Sequence, residues 1–409
     1  MDNKKKALFL TNVSGFLQQF EMPHVRILQE AGYQVHYASN FNHQVYDCDI
    51  SALEDAGITI HHVNIKKSPA ALVDNYRVLK EIVSIIEREQ IQIIHCHNPV
   101  GGVIGRLAGR LSSNKCLKVI YTAHGFHFYK GASRINWAVF YRIERIMARF
   151  TDVLIVINKE DLKYASSFRL KPGGKVYLIP GTGLDFSKFQ VPDTGERNEL
   201  RKEISIGEKQ FFLLSVGELN KNKNHMIIIK AISRLKERGI KAEQFHYGIC
   251  GEGGFKQELA KLIREEHLEE YVSLYGYASD VRRYLAAADG FAFPTIREGL
   301  GMACIEAMAM GLPVIASDNR GTREYMRAGK TGFVCKYNDA EEFAEAIEQL
   351  LSMDPETYQR ISKECQRVTR DFDIHNTNQI MRHIYEEVIS SIEKCQESHE
   401  CGCNTNGIA

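Results

Sequence analysis

The chain has no excess of either charge: 52 basic residues stand against 51 acidic ones across 409 positions. Such a balance supplies no global field for a polyanion, which argues against nucleic acid as a partner and leaves any basic surface to be local. Long hydrophobic runs are missing as well. No window reaches the roughly 18 apolar residues that a membrane span requires. The apolar run ALFLTNV behind MDNKKK is too short for a signal-peptide core. The expectation is a cytoplasmic protein. Its 10 cysteines run from Cys48 to Cys403 without a regular framework, which reads as reduced thiols rather than a disulfide scaffold. The terminal CQESHECGC (395–403) carries metal-ligating side chains with nothing to orient them, so 395–409 reads as a flexible tail.

What the chain does have is length for two domains and a repeated alternation. Strand-length runs rich in branched residues, ALFLTNV (7–13), QVHYAS (34–39), ITIHHV (58–63), IQIIHC (91–96), KVIYTA (118–123), VLIVI (153–157) and KVYLI (175–179), alternate with helical patterns. FLQQFEMPHVRILQEAG closes on Gly32 as a helix C-cap would, and 70–90 repeats apolar residues at three- and four-residue spacing. The stretch 180–210 lapses into Gly, Pro and charge and reads as a linker. Alternation then restarts with FFLLSVG (211–217), FHYGICG (245–251), YVSLYG (271–276), GFAFPT (290–295), LPVIAS (312–317) and GFVCKY (332–337). The expected fold is α/β, two doubly wound Rossmann-like domains facing across a cleft.

One stretch raises a chemical question. Between Gly299 and Ser317 the only charged side chain is Glu306. Flanked by strands, GMACIEAMAM must be a crossover helix, with Gly311 as terminator and Glu298 in the loop before it. Gly299 and Gly301 let backbone approach a ligand closely, and the first N–H groups of the helix suit a diphosphate. Unpaired, the Glu306 carboxylate would cost several kcal/mol. Its partner is either an Arg or Lys of the protein or a ligand.

The segment PTIREGLGMACIEAMAMGLPVIAS resembles the signature of family 4 glycosyltransferases of the GT-B fold: a Glu, seven intervening residues and a second Glu, here Glu298 and Glu306. IIHCHNPVGGVIGRLAG (93–109), YTAHGFH (121–127), VYLIPGTGLDFSKF (176–189), SVGELNKNKNH (215–225), CGEGG (250–254) and LYGYASDVRRYLAAADGFAFPT (274–295) resemble family segments in the family's order. The resemblance implies an acceptor-binding domain at 1–190, joined by a returning C-terminal helix at 373–394, and a nucleotide-sugar domain at 205–371. It implies that Glu306 takes the ribose hydroxyls and that Glu298 contacts the transferred sugar. The diphosphate would be received by N–H groups near Leu300 and Gly301 and by Lys223, and Gly251 in the glycine loop would also bind substrate. Gly15 would lie against the phosphates or the acceptor, and His124 would orient the donor sugar.

Where the family places an Arg after the glycine of SVG, this chain has Glu218, so the leaving-group charge falls to Lys221 or Lys223. Transfer with retention of configuration, without cofactor or catalytic metal, is what the resemblance implies. Its acceptor would be a polyprenyl-diphosphate-linked or other glycan in surface polysaccharide assembly, and its donor a UDP-sugar. A sugar-nucleotide epimerase and a non-catalytic nucleotide-sugar-binding protein share the architecture and stay open. DCD at 47–49 matches an Asp-any-Asp metal motif, but Asp49 stands where a helix cap is needed before ISALEDAG. His95 and His97 share a strand face and read as structural; His127 is a neighbour to be told apart from His124.

SRINWAVFYRIERIMARF (133–150) reads as one helix. At about 3.6 residues per turn, Arg134, Arg142, Arg145 and Arg149 fall within an arc of about 80°. Trp137 and Tyr141 border that arc, with Ile135, Val139, Ile143, Ile146 and Phe150 expected toward the core. Either it is an ordinary solvated face or it meets an anionic membrane surface. The second reading makes the protein peripheral at the inner face of the plasma membrane.

Overall fold

The computed structural model describes residues 5–42, 46–66, 68 and 71–403, with side chains to Ser398. The chain divides into two compact units, Met1–Gly183 with His375–Ala409, and Leu184–Ile374. In the first, the branched apolar runs form β1 (Lys5–Leu10), β2 (Tyr33–Ser39), β3 (Ile58–His62), β4 (Ile93–His97), β5 (Lys118–Ala123), β6 (Val153–Val156) and β7 (Lys175–Leu178). All pair in parallel, in the order β3-β2-β1-β4-β5-β6-β7. Every residue of β4 is buried, as a strand covered on both faces requires. Order reverses between β1 and β4, and loops at the carboxyl ends beside such a reversal form ligand sites.

The second unit repeats the plan with β8 (Phe211–Val216), β9 (Phe245–Cys250), β10 (Val272–Gly276), β11 (Gly290–Phe293), β12 (Val314–Ser317) and β13 (Gly332–Cys335). Its order is β10-β9-β8-β11-β12-β13, again parallel, with the reversal between β8 and β11.

Inside the stretch read as linker, Thr194–Glu203 is a helix capped by Asp193. Its Arg201 is 2% exposed and meets the Asp289 carboxylate at 3.0 Å, beside Arg197 at 2.5 Å. Part of the charge in the stretch read as a linker is thus in internal pairs. At the other end the chain does not lapse at residue 395: the helix Ile374–Cys403 runs on. It packs on the first unit, where Tyr385 Oη lies 2.9 Å from His95 Nδ1 and Arg382 meets Glu30 at 2.7 Å. This brings Cys395 to Cys116, and the two form a disulfide. The expectation of reduced thiols fails for that pair, because sequence spacing carries no information on a juxtaposition 279 residues apart. Cys48, Cys96, Cys250, Cys304, Cys335 and Cys365 are free thiols. The side chains of His399, Cys401 and Cys403 lie outside the described residues.

The segment 133–150 also departs from expectation. Its middle, Trp137–Tyr141, is a π-helical turn between the short helices Arg134–Asn136 and Arg142–Met147. A wider turn breaks the 3.6-residue count on which the faces were assigned. Trp137, Phe140 and Tyr141 turn inward onto the core, and buried Glu144 pairs with Arg106 at 2.7 Å. Ile135, Val139 and Ile146 are instead 73%, 44% and 50% exposed, on a surface shared with the exposed Arg134, Arg142, Arg145 and Arg149. Ile143 and Phe150 are half-buried.

Candidate active site

In the second unit the loop after β11 leads into the helix Met302–Ala309, built from the helix formers Met and Ala. Gly301 starts it at φ +92°, and a Cβ there would lie 2.8 Å from the Phe293 ring and 3.0 Å from the Tyr325 hydroxyl. Only glycine fits both demands. No side chain caps this N-terminus and no acid sits in its first turn, so its leading N–H groups carry the positive end of the helix dipole. Leu300 is buried, its carbonyl accepting the Tyr325 hydroxyl at 2.9 Å.

Lys223, in the loop after β8, places Nζ 2.7 Å from Glu298 Oε2 and 5.3 Å from the centre of the Phe293 ring. Its aliphatic stem runs along Gly217. The loops that carry this pair are fastened together. Asn222 donates through Nδ2 to the Arg297 carbonyl at 2.9 Å and accepts the Arg297 N–H at 3.1 Å. Asn319 donates to the Thr295 carbonyl at 2.9 Å and Arg320 to that of Glu298 at 3.2 Å. Glu298 Oε1 accepts the Gly299 N–H at 3.3 Å. Gly251, following β9, donates its N–H to the Gly276 carbonyl at 2.7 Å and backs onto Gly217. Glu218 and Lys221 stand exposed.

Glu306 is half-buried, and its carboxylate has no hydrogen-bond or ion-pair partner among the described residues. Burial pushes its pKa up to about 7. Of the two partners that the sequence left open, an Arg or Lys is not found among the described residues.

In the first unit Gly15 follows β1 at φ +77°, where a Cβ would come 2.6 Å from the Tyr46 carbonyl oxygen. His124 follows β5 and His97 ends β4; Nε2 of His124 lies 3.1 Å from Nδ1 of His97. Beneath them is Glu21, whose Oε2 lies 2.6 Å from His24 Nδ1 and whose Oε1 lies 3.6 Å from His97 Nδ1. One ligand atom each from Glu21, His97 and His124 falls within 4.8 Å of the others. Burial raises the Glu21 carboxyl, but the His97 and His24 rings outweigh it and hold the group well below the usual carboxylate range. Burial drives His97 down to about 3 and lowers His124. His95 binds Tyr385 and the Thr122 hydroxyl, at 2.9 and 2.8 Å, and is structural. His127 packs on Phe140, 4.8 Å between ring centres. Asp49 caps the helix Ile50–Asp55 by accepting the Ala52 N–H at 3.1 Å.

The sequence reading passed over Glu21, Asn222, Asn319 and Arg320, and took His97 for structural. DNRGT after β12 offered a signal for Asn319 and Arg320, polar residues at a strand's carboxyl end. Glu21 offered none, standing between Phe20 and Met22 in a helical pattern with no motif around it.

Two sequence families match the chain, "Glycosyl transferase 4-like" over residues 6–158 and "Glycosyl transferases group 1" over 196–368. The chain is 35% identical over 381 residues to EpsD of Bacillus subtilis strain 168, a candidate glycosyltransferase by its name, covering 93% of this chain and 96% of that one. It is 25% identical over 321 residues to an Escherichia coli UDP-Gal:alpha-D-GlcNAc-diphosphoundecaprenol alpha-1,3-galactosyltransferase, covering 78% and 81%. Among solved structures, Anabaena HepE in complex with UDP and glucose superposes with a TM-score of 0.74 at 18% identity, covering 94% of this chain and all of the other. That likeness concerns the fold.

Proposed function

This chain belongs to the family 4 glycosyltransferases of the GT-B fold, and on that premise we propose that it moves a hexose or N-acetylhexosamine from a UDP-sugar to a polyprenyl-diphosphate-linked acceptor in surface polysaccharide biosynthesis. The observation that carries the reading is the convergence, after β8 and β11, of an uncapped helix N-terminus, the Lys223–Glu298 pair and a Glu306 carboxylate without a protein partner. The helix end and Lys223 stabilise a leaving diphosphate. Glu306 accepts ribose hydroxyls, Glu298 meets the transferred sugar, and His124 orients that sugar. UDP as the leaving group is supported by the E. coli relative's name. In the retaining reaction proposed, the anomeric C–O bond to diphosphate breaks and the acceptor oxygen bonds on the same face. The acceptor hydroxyl proton passes to a diphosphate oxygen.

Incubation with UDP-, GDP- and ADP-sugars, with and without a lipid-linked acceptor, tests this reading. Acceptor-dependent release of UDP is the expected result; tight nucleotide binding without turnover would favour a binding protein. His124→Ala is expected to lower kcat about tenfold or more, the value of an oriented hydrogen bond or two, while UDP affinity stays within about twofold. A fully active variant would retire the role of His124.

A peripheral membrane location has support from the surface at 134–149. The exposed arginines lie beside exposed Ile135, Val139 and Ile146, the mixture that inserts shallowly at a lipid interface. An open pocket there is lined by Trp137, Ala138, Tyr141, Arg142, Arg145 and Ile146, suiting a lipid-linked phosphate. Each arginine near an anionic leaflet contributes about 1 kcal/mol. The wild type should sediment with anionic liposomes in a salt-sensitive way, and a variant with Arg134, Arg142, Arg145 and Arg149 all changed to Glu should not. Equal sedimentation of the two would remove the membrane from the reading.

A further inference from the structure

We propose that Glu21 is a positioning residue that acts through His97 to fix the tautomer of His124, so that His124 presents its Nδ1–H as a donor. The inference rests on the transferase reading only for what that donor meets. Its geometry stands by itself in the first unit.

The rings are held. Phe9 stacks on His97 at 5.9 Å and 8° between planes, and Phe16 meets His124 edge-on at 5.0 Å. Both nitrogens of His95 are taken by Thr122 and Tyr385, which leaves the line Glu21, His97, His124. Glu21, His24 and His97 are each no more than 2% exposed. An ionised carboxylate only accepts, so His24 donates Nδ1–H to Glu21.

Between His97 Nδ1 and His124 Nε2, one ring must donate. If His97 donates, its Nδ1–H also lies toward the Glu21 carboxylate, 3.6 Å away. Its bare Nε2 then occupies a buried position where no partner is found. The reverse arrangement aims the His97 Nδ1 lone pair at that carboxylate and puts an N–H at the partnerless Nε2. A buried, unsatisfied N–H beside a lone pair facing a negative charge is the costlier state on both counts. His97 therefore donates, His124 Nε2 accepts, and the proton of neutral His124 resides on Nδ1. That nitrogen has no partner among the described residues, and His124 is only half-buried. In the transferase reading it donates to an oxygen of the donor sugar. The Glu21 charge is what selects this state, and an uncharged amide would leave the two rings free to exchange.

Long-range nitrogen–proton NMR of the 15N-labelled full chain reads the tautomers, with His124→Gln identifying its signals. Wild type should show His124 protonated at Nδ1, and Glu21→Gln should move it toward Nε2 protonation. Kinetically, Glu21→Gln should lower kcat about tenfold with donor KM and UDP affinity kept, Glu21→Asp should recover most of the loss, and Glu21→Gln should add nothing in a His124→Ala background. His124 protonated at Nε2 in wild type would overturn the proposal, whether or not the variants fold. So would an unchanged tautomer in Glu21→Gln, additive losses, or a metal ion bound stoichiometrically to the purified chain and lost in Glu21→Gln. The NMR arm needs no substrate: the expected tautomers in a protein that turns over no nucleotide sugar would sink the transferase reading and leave the positioning role standing.

Discussion

Lys223→Ala should lower turnover about 10²- to 10³-fold, the loss found when one preorganised charge is removed from a developing anion. Two effects act in the same direction. The ammonium 2.7 Å from Glu298 disappears, and the Glu298 carboxylate is left uncompensated near the place where negative charge grows. No second cation stands at the glycine of the β8 loop, since Glu218 occupies the position after it. Stability should change little, because a partly exposed pair of this kind contributes only about 0 to 1 kcal/mol. Lys223→Arg should recover only part of the activity: a planar guanidinium cannot replace a compact ammonium wedged between Glu298 and the Phe293 ring. Steady-state kinetics with the UDP-sugar and a melting curve check both halves. A loss below about tenfold would shift the leaving-group role to Lys221.

The two parallel sheets were legible because branched apolar runs such as IIHC and VLIV are what strands buried on both faces are made of. The helix after β11 was legible for a related reason: Gly301 and Gly311 bracket a run of Met, Ala, Cys and Ile with one charge in it. What escaped depends on partners remote in sequence. Arg201 looks like a linker charge until Asp289 is seen against it. His97 looks like a structural strand residue until the β4–β5 register, which sets it opposite Thr122, carries it to His124 just beyond that strand. The face of 134–150 was misassigned by a local event, a π turn at Trp137–Tyr141 that no residue pattern announced. Cysteine pairing is the extreme case, since Cys116 and Cys395 meet only through the packing of the last helix.

Glu306→Gln should move nucleotide affinity and stability in opposite directions. The folded-state pKa of Glu306 is about 7, raised from an ordinary 4.5 by burial alone. Native protein therefore holds a proton that the unfolded chain has released across that window. Stability contributed by the protonated acid is complete below about pH 4.5 and is lost as pH rises toward 7. A glutamine carries no such penalty, so the variant should be at least as stable at pH 8 and should lack this part of the pH 4.5–7 slope. Binding goes the other way. If ribose hydroxyls donate to the carboxylate, its replacement by an amide weakens UDP by about 1 to 3 kcal/mol, the value of hydrogen bonds to a charged group. The same donors favour the ionised form and lower its pKa, so UDP binding near pH 7 should release a proton from wild type and not from the variant. Calorimetry in two buffers of different ionisation enthalpy measures affinity and proton release together. A variant with unchanged UDP affinity and a large loss of melting temperature would mean that Glu306 serves the fold, and the ribose assignment would fall with it.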